Sequence, residues 1–376
     1  MPASSRAAIA LALALLTAPA LLPATPRYAA RYRQNCNLCH HNPTGGGMRS
    51  LYASQYLVPT EMVIRPLPAE RLEKIQPQVS ESITIGTDIR MIHHYADEKR
   101  RPPELDFFQM QGDLYLRFQA DERLSAYMDR GTSSTLEIFG LAYVLPWNGF
   151  VKFGRFTPAF GWKFDDHRQF TREGRSGDNL PPDLFFEPPS QTDVGIEVGL
   201  YPGRFFLVAA LLNGAFGNSF DTDDELGHTV QLGYRFDLGP LGFVAGGSWL
   251  RNVESGGLRS AGGPFGALNV GPFTWLGEVD WSNLDGDTSE RTALLTSHEV
   301  TWQLLRGLDL RGVFNYADPD LDRQTGTRVK SGGGVDALVT PFFGIKAMVN
   351  VYANDAGENV QTPDYVQSEL TLHLFY

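Results

Sequence analysis

Phe108-Gln109-Met110-Gln111-Gly112-Asp113-Leu114-Tyr115-Leu116-Arg117-Phe118 alternates with period two. Phe108, Met110, Leu114, Leu116 and Phe118 fall on one side, and Gln109, Gln111, Asp113, Tyr115 and Arg117 on the other. Successive side chains of a strand point to opposite faces, so this segment has one greasy face and one wet face. The pattern recurs. Val230, Leu232, Tyr234, Phe236 and Leu238 alternate with Gln231, Gly233, Arg235 and Asp237. Leu308, Leu310 and Phe314 alternate with Asp309, Arg311 and Asn315. Leu370, Leu372, Leu374 and Tyr376 alternate with Glu369, Thr371, His373 and Phe375. The texture begins near Val79 and lasts to the final residue.

A soluble sandwich also alternates, but two features favour a membrane barrel. The segments run ~10 residues, the reach needed to cross a bilayer at a tilt. The connections alternate short and long, as outer-membrane barrels do with tight periplasmic turns and long outer loops. The short ones are 120–122, 146–148, 202–203, 239–240, 271–272, 306–307 and 340–341. The long ones are 96–103, 157–190, 213–226, 252–263, 282–291, 317–326 and 354–363. The predicted fold class is all-β: a transmembrane antiparallel β-barrel of about 16 strands over 79–376, with a small N-terminal segment ahead of it. The chain ends Leu374-Phe375-Tyr376, similar to the C-terminal assembly signal of outer-membrane proteins. An even strand count puts both ends of the barrel on one side. The N-terminal segment is therefore expected to enter from the periplasmic side of a bacterial outer membrane.

Residues 1–24 read as a secretory signal: Arg6, an apolar core from Ala7 to Leu16, and Ala18-Pro19-Ala20 as cleavage site. Beyond it no apolar run approaches the ~20 residues of a membrane helix. The 376-residue chain carries a net charge of -11 and no basic block, which argues against a nucleic-acid partner.

Between these regions, residues 25–78 contain Cys36-Asn37-Leu38-Cys39-His40, the C-x-x-C-H signal for covalent haem c. Cys36 and Cys39 are expected to bind the haem vinyls, and His40 to be the proximal iron ligand. These are the chain's two cysteines, so no thiol remains for a disulfide. The other readings are a redox dithiol or half a zinc site, and a second ligand cluster for four-coordinate zinc is missing. Tyr28, Tyr32, Leu38, Leu51, Tyr52, Tyr56, Leu57 and Val58 could wrap a porphyrin. Pro43-Thr44-Gly45-Gly46-Gly47 is either a backbone approach to the haem edge or a flexible loop.

A sixth ligand decides much of a haem's chemistry. His41, adjacent to His40, cannot reach the opposite haem face. Met48 lies eight residues past His40, within reach of an extended chain at ~3.3 Å per residue. Met62 is the second candidate, and His93 and His94 would serve only a haem high in the lumen. Asp165-Asp166-His167, in the longest loop, is either a ferrous-ion site or solvated loop. Inward Asp88, Arg90, Asp113, Arg117, Glu197, Arg235, Asp237, Glu278, Asp280, Asp309 and Arg311 read as a hydrated barrel interior. No hydrolase or nucleotide-binding motif occurs.

Tyr28-Ala29-Ala30-Arg31-Tyr32 leading into Cys36-Asn37-Leu38-Cys39-His40, ahead of a barrel, resembles the fused monohaem cytochrome c–porin family of outer-membrane electron-transfer proteins, the iron-oxidising type best known among them. The resemblance implies one haem c on Cys36 and Cys39 with His40 proximal, contact with outer-membrane lipid, extracellular Fe(II) or another redox donor, and a periplasmic electron carrier. Asn42-Pro43-Thr44-Gly45-Gly46-Gly47-Met48-Arg49 departs from the iron oxidases, which leaves the donor open. The alternative is a porin-like transport channel with a haem plug or redox sensor. A third reading, a haem peroxidase, needs an open sixth position.

Overall fold

The computed structural model describes residues 26–32, 35–98, 104–131, 136–163, 169–171, 191–216, 221, 224–254, 257–286, 289–323, 326–355 and 364–376. The expected signal segment and Asp165-Asp166-His167 lie outside these residues.

Strands β1 (Ile83–Glu98), β2 (Glu104–Gln119), β3 (Leu124–Gly131), β4 (Glu137–Leu145) and β5 (Gly149–Phe156) open the sheet. They are followed by β6 (Asp193–Leu200), β7 (Phe205–Leu212), β8 (Gly227–Leu238), β9 (Leu241–Glu254), β10 (Gly257–Val270) and β11 (Phe273–Gly286). The last five are β12 (Ser289–Leu305), β13 (Leu308–Asp318), β14 (Arg328–Thr340), β15 (Phe343–Asn354) and β16 (Tyr365–Phe375). Each pairs antiparallel with its neighbours in sequence, and β1 pairs with β16, closing a 16-strand barrel with no free edge. The seam includes the chain's end: Tyr376 N–H donates to Thr87 O (2.8 Å) and Thr87 N–H to Tyr376 O (2.9 Å). Behind it Arg90 donates to Asp88 and His373 lies 2.9 Å from the same carboxylate.

The alternation sorts side chains as predicted. Leu114 and Phe118 are 54 % and 51 % exposed on the outer wall, while Asp113 and Tyr115 are 2 % and 4 % exposed inside. Apolar outward and polar inward is the inverse of a soluble core and suits a lipid surround. Beside the tight turns, aromatic rings neighbour one another on the outer surface: Phe205 on Tyr234 (4.4 Å), Tyr234 on Phe236 (4.4 Å) and Phe236 on Phe243 (5.7 Å). Such aromatics flank the apolar band of a bilayer barrel. All seven predicted tight turns stand between the predicted strand pairs. In the second, Trp147 and Asn148 both have positive φ (58° and 57°) and Gly149 N–H bonds to Pro146 O, the mirror-image turn that suits a twisted hairpin.

Three expectations are corrected. The period-two reading of β2 breaks at Met110: Arg90 pairs with Gln111 and Met91 with Gln109, so Met110 is an extra, bulged residue. Above it the sides exchange, and Leu105 and Phe107 face outward at 64 % and 66 % exposure. The long loops expected at 252–263 and 282–291 are instead strand, because β9–β10 and β11–β12 extend their ladders up to the short gaps at 255–256 and 287–288. The glycines there mark close strand contact rather than loop. A Cβ on Gly263 would run into the Val279 carbonyl, and one on Gly262 would lie 2.6 Å from Ser248 O. Third, the inward charges are not simply hydrated. Glu197, Glu278 and Asp309 are 0 %, 1 % and 3 % exposed, covered by chain that enters the lumen.

Candidate functional site

Among the described residues, two segments fill the lumen. The first follows β5. Its backbone N–H groups donate to inward carboxylates and a hydroxyl: Thr157 to Glu137 (2.9 Å), Ala159 to Glu197 (3.0 Å), Gly161 to Ser248 (2.7 Å) and Trp162 to Glu278 (2.7 Å). A buried backbone donor needs a partner, and these side chains supply it. Farther on, Phe170 N–H bonds to Asn315 on the opposite wall (3.1 Å).

The second segment is the N-terminal stretch holding C-x-x-C-H. A helix, Pro26–Tyr32, packs on β9, β10 and β11 through Ala30. Its two arginines meet inward carboxylates, Arg27 with Asp336 (2.7 Å) and Arg31 with Asp309 (2.9 Å). Farther along, Asn42 bonds to Glu137 (3.4 Å), Met48 N–H to the Tyr127 hydroxyl (3.0 Å), and the Arg49 guanidinium lies 3.8 Å over the Phe375 ring while bonding to Pro341 O (3.0 Å). A helix over Ala53–Met62 then leads out at the tight-turn end. There Arg306 donates to Val63 O and Thr60 O, and Ile64 N–H to Leu338 O (3.0 Å).

Lys152 joins the N-terminal segment to the wall. It is 0 % exposed, 2.6 Å from Glu197, and donates to Thr44 (3.2 Å) and Asn42 (3.4 Å). Lys152→Met should destabilise the folded barrel by about 3–5 kcal/mol, because Glu197 would keep a buried, uncompensated charge. Thermal loss of the folded band in cold-detergent electrophoresis measures this. Lys152→Met with Glu197→Gln should restore most of the loss, the signature of a coupled pair.

The C-x-x-C-H motif forms one turn of helix, Cys36–Cys39, with His40 N–H bonded to Cys36 O (2.8 Å). The two cysteines stand three apart on it, hence on one side, and neither forms a disulfide. Burial raises the Cys36 thiol and pushes Cys39 up to about 12, so neither has the low-pKa thiolate of a redox dithiol. The chain then folds back: His40 and Arg49 form a bridge and His41 N–H bonds to Met48 O (3.1 Å). The return requires three successive left-handed residues, Gly45, Gly46 and Gly47 (φ 92°, 78° and 64°). A Cβ on Gly45 would lie 3.5 Å from Cys36 Sγ, so this loop is a close backbone approach to the motif. His40 Nδ1 is 3.3 Å from Gly47 O; a proton on Nδ1 leaves the lone pair on Nε2, the arrangement of a metal-ligating imidazole. Free thiols one turn apart, an oriented imidazole and a glycine approach are a donor set that fits covalent haem c.

The candidate distal residues separate. Met48 is 2 % exposed and packs with Tyr115 and Tyr127, against Gly86 of the wall. Met62 packs in the cluster that contains Cys39, Leu57 and Val58, with Tyr28 and Tyr32 against it. His93 lies seven residues beyond Gly86 on β1, ~23 Å along the strand, and edges onto Phe107. The structure does not bring His93 or His94 to the motif. Spacing does not reveal Lys152, Glu137, Tyr127 or the 157–163 segment, since their partners lie 20 to 116 residues away.

No family model matches the chain, and no curated protein matches it. Solved structures do match. An anion-selective porin from Comamonas acidovorans aligns with a TM-score of 0.58 and 11 % identity, over 78 % of this chain and 99 % of that one. The outer-membrane channel DcaP of Acinetobacter baumannii gives 0.57 and 10 %, over 80 % and 100 %. OmpT of Vibrio cholerae gives 0.54 and 11 %, over 80 % and 100 %. At these identities the likeness is one of fold: the chain is a porin-like 16-strand barrel.

Proposed function

We propose that the chain is an outer-membrane barrel whose lumen is plugged by its own haem-attachment segment, and that it serves electron transfer across that membrane. The observation that carries the reading is a C-x-x-C-H turn lodged inside a closed barrel and tied to the wall by buried ion pairs. Cys36 and Cys39 would hold haem c and His40 its iron, and the group supplies one-electron redox chemistry. Short turns of such barrels face the periplasm. The segment, leaving at that end, would be open there to a periplasmic carrier, with Fe(II) or another donor on the far side. Met62, in the same cluster as Cys39, would be the second iron ligand in preference to Met48, which packs on the wall beside Tyr115 and Tyr127.

The porin-like fold favours a second reading, a transport channel whose haem segment is a plug or redox sensor. Purified protein separates the two. A haem-stained band after denaturing electrophoresis, a chromophore reduced by Fe(II), and a silent planar bilayer support electron transfer. Steady conductance indifferent to reduction supports the channel.

A further inference from the structure

The Gly47–Met48 peptide is held at both ends. Its N–H donates to the Tyr127 hydroxyl (3.0 Å), and its C=O accepts from His40 Nδ1 (3.3 Å). The two groups belong to one planar trans unit and point opposite ways, so neither moves without the other. Whatever fixes the N–H therefore fixes the carbonyl, and with it the plane of the imidazole. Tyr127 stands on β3 opposite Phe139 of β4 and is 3 % exposed. Its ring lies 5.0 Å from Phe139 and 6.4 Å from Tyr115. A strand residue locked in a ring stack presents its hydroxyl from a fixed point. The loop is matched to it. A Cβ on Gly47 would run into that hydroxyl, so glycine is what lets the tyrosine reach the following N–H. A peptide whose N–H is engaged also becomes a better acceptor at its carbonyl.

We propose that Tyr127, a residue of the barrel wall, is a positioning residue for the His40 imidazole and acts through this one peptide. The assignment rests on the haem reading, in which His40 holds the iron. A hydrogen bond at Nδ1 keeps the lone pair on Nε2 and makes the imidazole a stronger donor to a metal. Oxidised iron gains more from a strong donor than reduced iron does, so Tyr127 holds the potential down.

In the full-length protein, Tyr127→Phe keeps the ring and removes the acceptor. The haem stain should persist, and the equilibrium constant for reduction should rise about threefold, ~28 mV for one electron. Gly47→Ala, which pushes the same peptide off the hydroxyl, should move the potential in the same direction. The double variant should move it no further than the larger single change, because both break one link. Phe139→Leu loosens the same ring stack and touches no hydrogen bond. It should lower the melting of the folded band in cold-detergent electrophoresis and leave the potential in place. Spectroelectrochemical titration reads the potential. A stained, folded Tyr127→Phe protein with an unmoved potential overturns the assignment and leaves the haem reading intact. A shift in Phe139→Leu equal to that in Tyr127→Phe also overturns it, since Tyr127 would then act by packing. If Tyr127→Phe does not fold, an unmoved potential in Gly47→Ala overturns it. Absence of stain from the unaltered protein removes the haem reading, and this assignment with it.

Discussion

Substituting alanine for both Cys36 and Cys39 is expected to abolish the haem-stained band of the denatured protein and to leave a folded barrel. The chemistry is all-or-none. With neither sulfur, no bond survives denaturation, whereas either single variant should keep a weaker band through the remaining thioether. The fold should survive because closure of the sheet depends on the β1–β16 ladder and not on the motif. Cys36 lines a cavity, so its truncation costs little packing. Cys39 is 8 % exposed against Leu57 and Met62, and losing its sulfur costs about 1–2 kcal/mol of plug packing. The methionines give an internal check. Met62→Ala should remove any methionine–iron charge-transfer band. Met48→Ala should keep the band yet lower the melting of the folded form by the ~2–5 kcal/mol of a buried methionine. Equal stain in the double-alanine and unaltered proteins would refute covalent attachment at this motif.

The barrel was legible because its physics is local. Period two shows on each strand, and turn residues such as Pro146-Trp147-Asn148 mark each hairpin. The bulge at Met110 was not legible, because an extra residue in a strand leaves both flanking runs properly alternating. Nor were the extended hairpins of β9–β12, where Gly262 and Gly263 resemble a loop by composition and are glycine because a neighbouring strand passes too close for a side chain. The filled lumen was hidden for a different reason. Alternation says that Glu197 and Asp309 face inward, but not what lies against them. Arg27 meets Asp336 across 309 positions, and Arg31 meets Asp309 across 278. Such partners are found in the folded chain alone. The C-x-x-C-H turn could be read from its spacing as a haem signal, and the even strand count gave the end at which it enters, while the wall residues that hold it could not be read.

Replacing Arg27 and Arg31 by alanine together should turn a silent barrel into a conducting one. Arg27 faces Asp336 and Glu299 (2.7 and 3.8 Å), and Arg31 faces Asp309 (2.9 Å), all with side chains less than a fifth exposed. Removing one partner of a buried pair leaves the other charge without compensation, a cost of about 3–5 kcal/mol per site. That cost falls on the plugged state alone, since water would hydrate Asp336 and Asp309 in an emptied lumen. Two sites give roughly 6–10 kcal/mol, above the ~5.5 kcal/mol that carries a two-state equilibrium from 1:99 to 99:1. Lys152, Arg49 and Tyr127 still hold the segment farther along, so the helix Pro26–Tyr32 should leave first and open the side of the lumen under β9–β11. The unaltered protein should pass no steps in a planar bilayer. The double variant should pass discrete ones, and the adjoining Arg27–Tyr28 and Arg31–Tyr32 environments should become cleavable by trypsin in Arg27→Ala or Arg31→Ala singly. Raising the salt should not mimic the substitutions, because pairs buried in the lumen are little screened. A double variant as silent as the parent, with both single variants as trypsin-resistant as the parent, would mean that apolar packing of Ala30 on Phe206 and Phe265, rather than charge, keeps the plug in place.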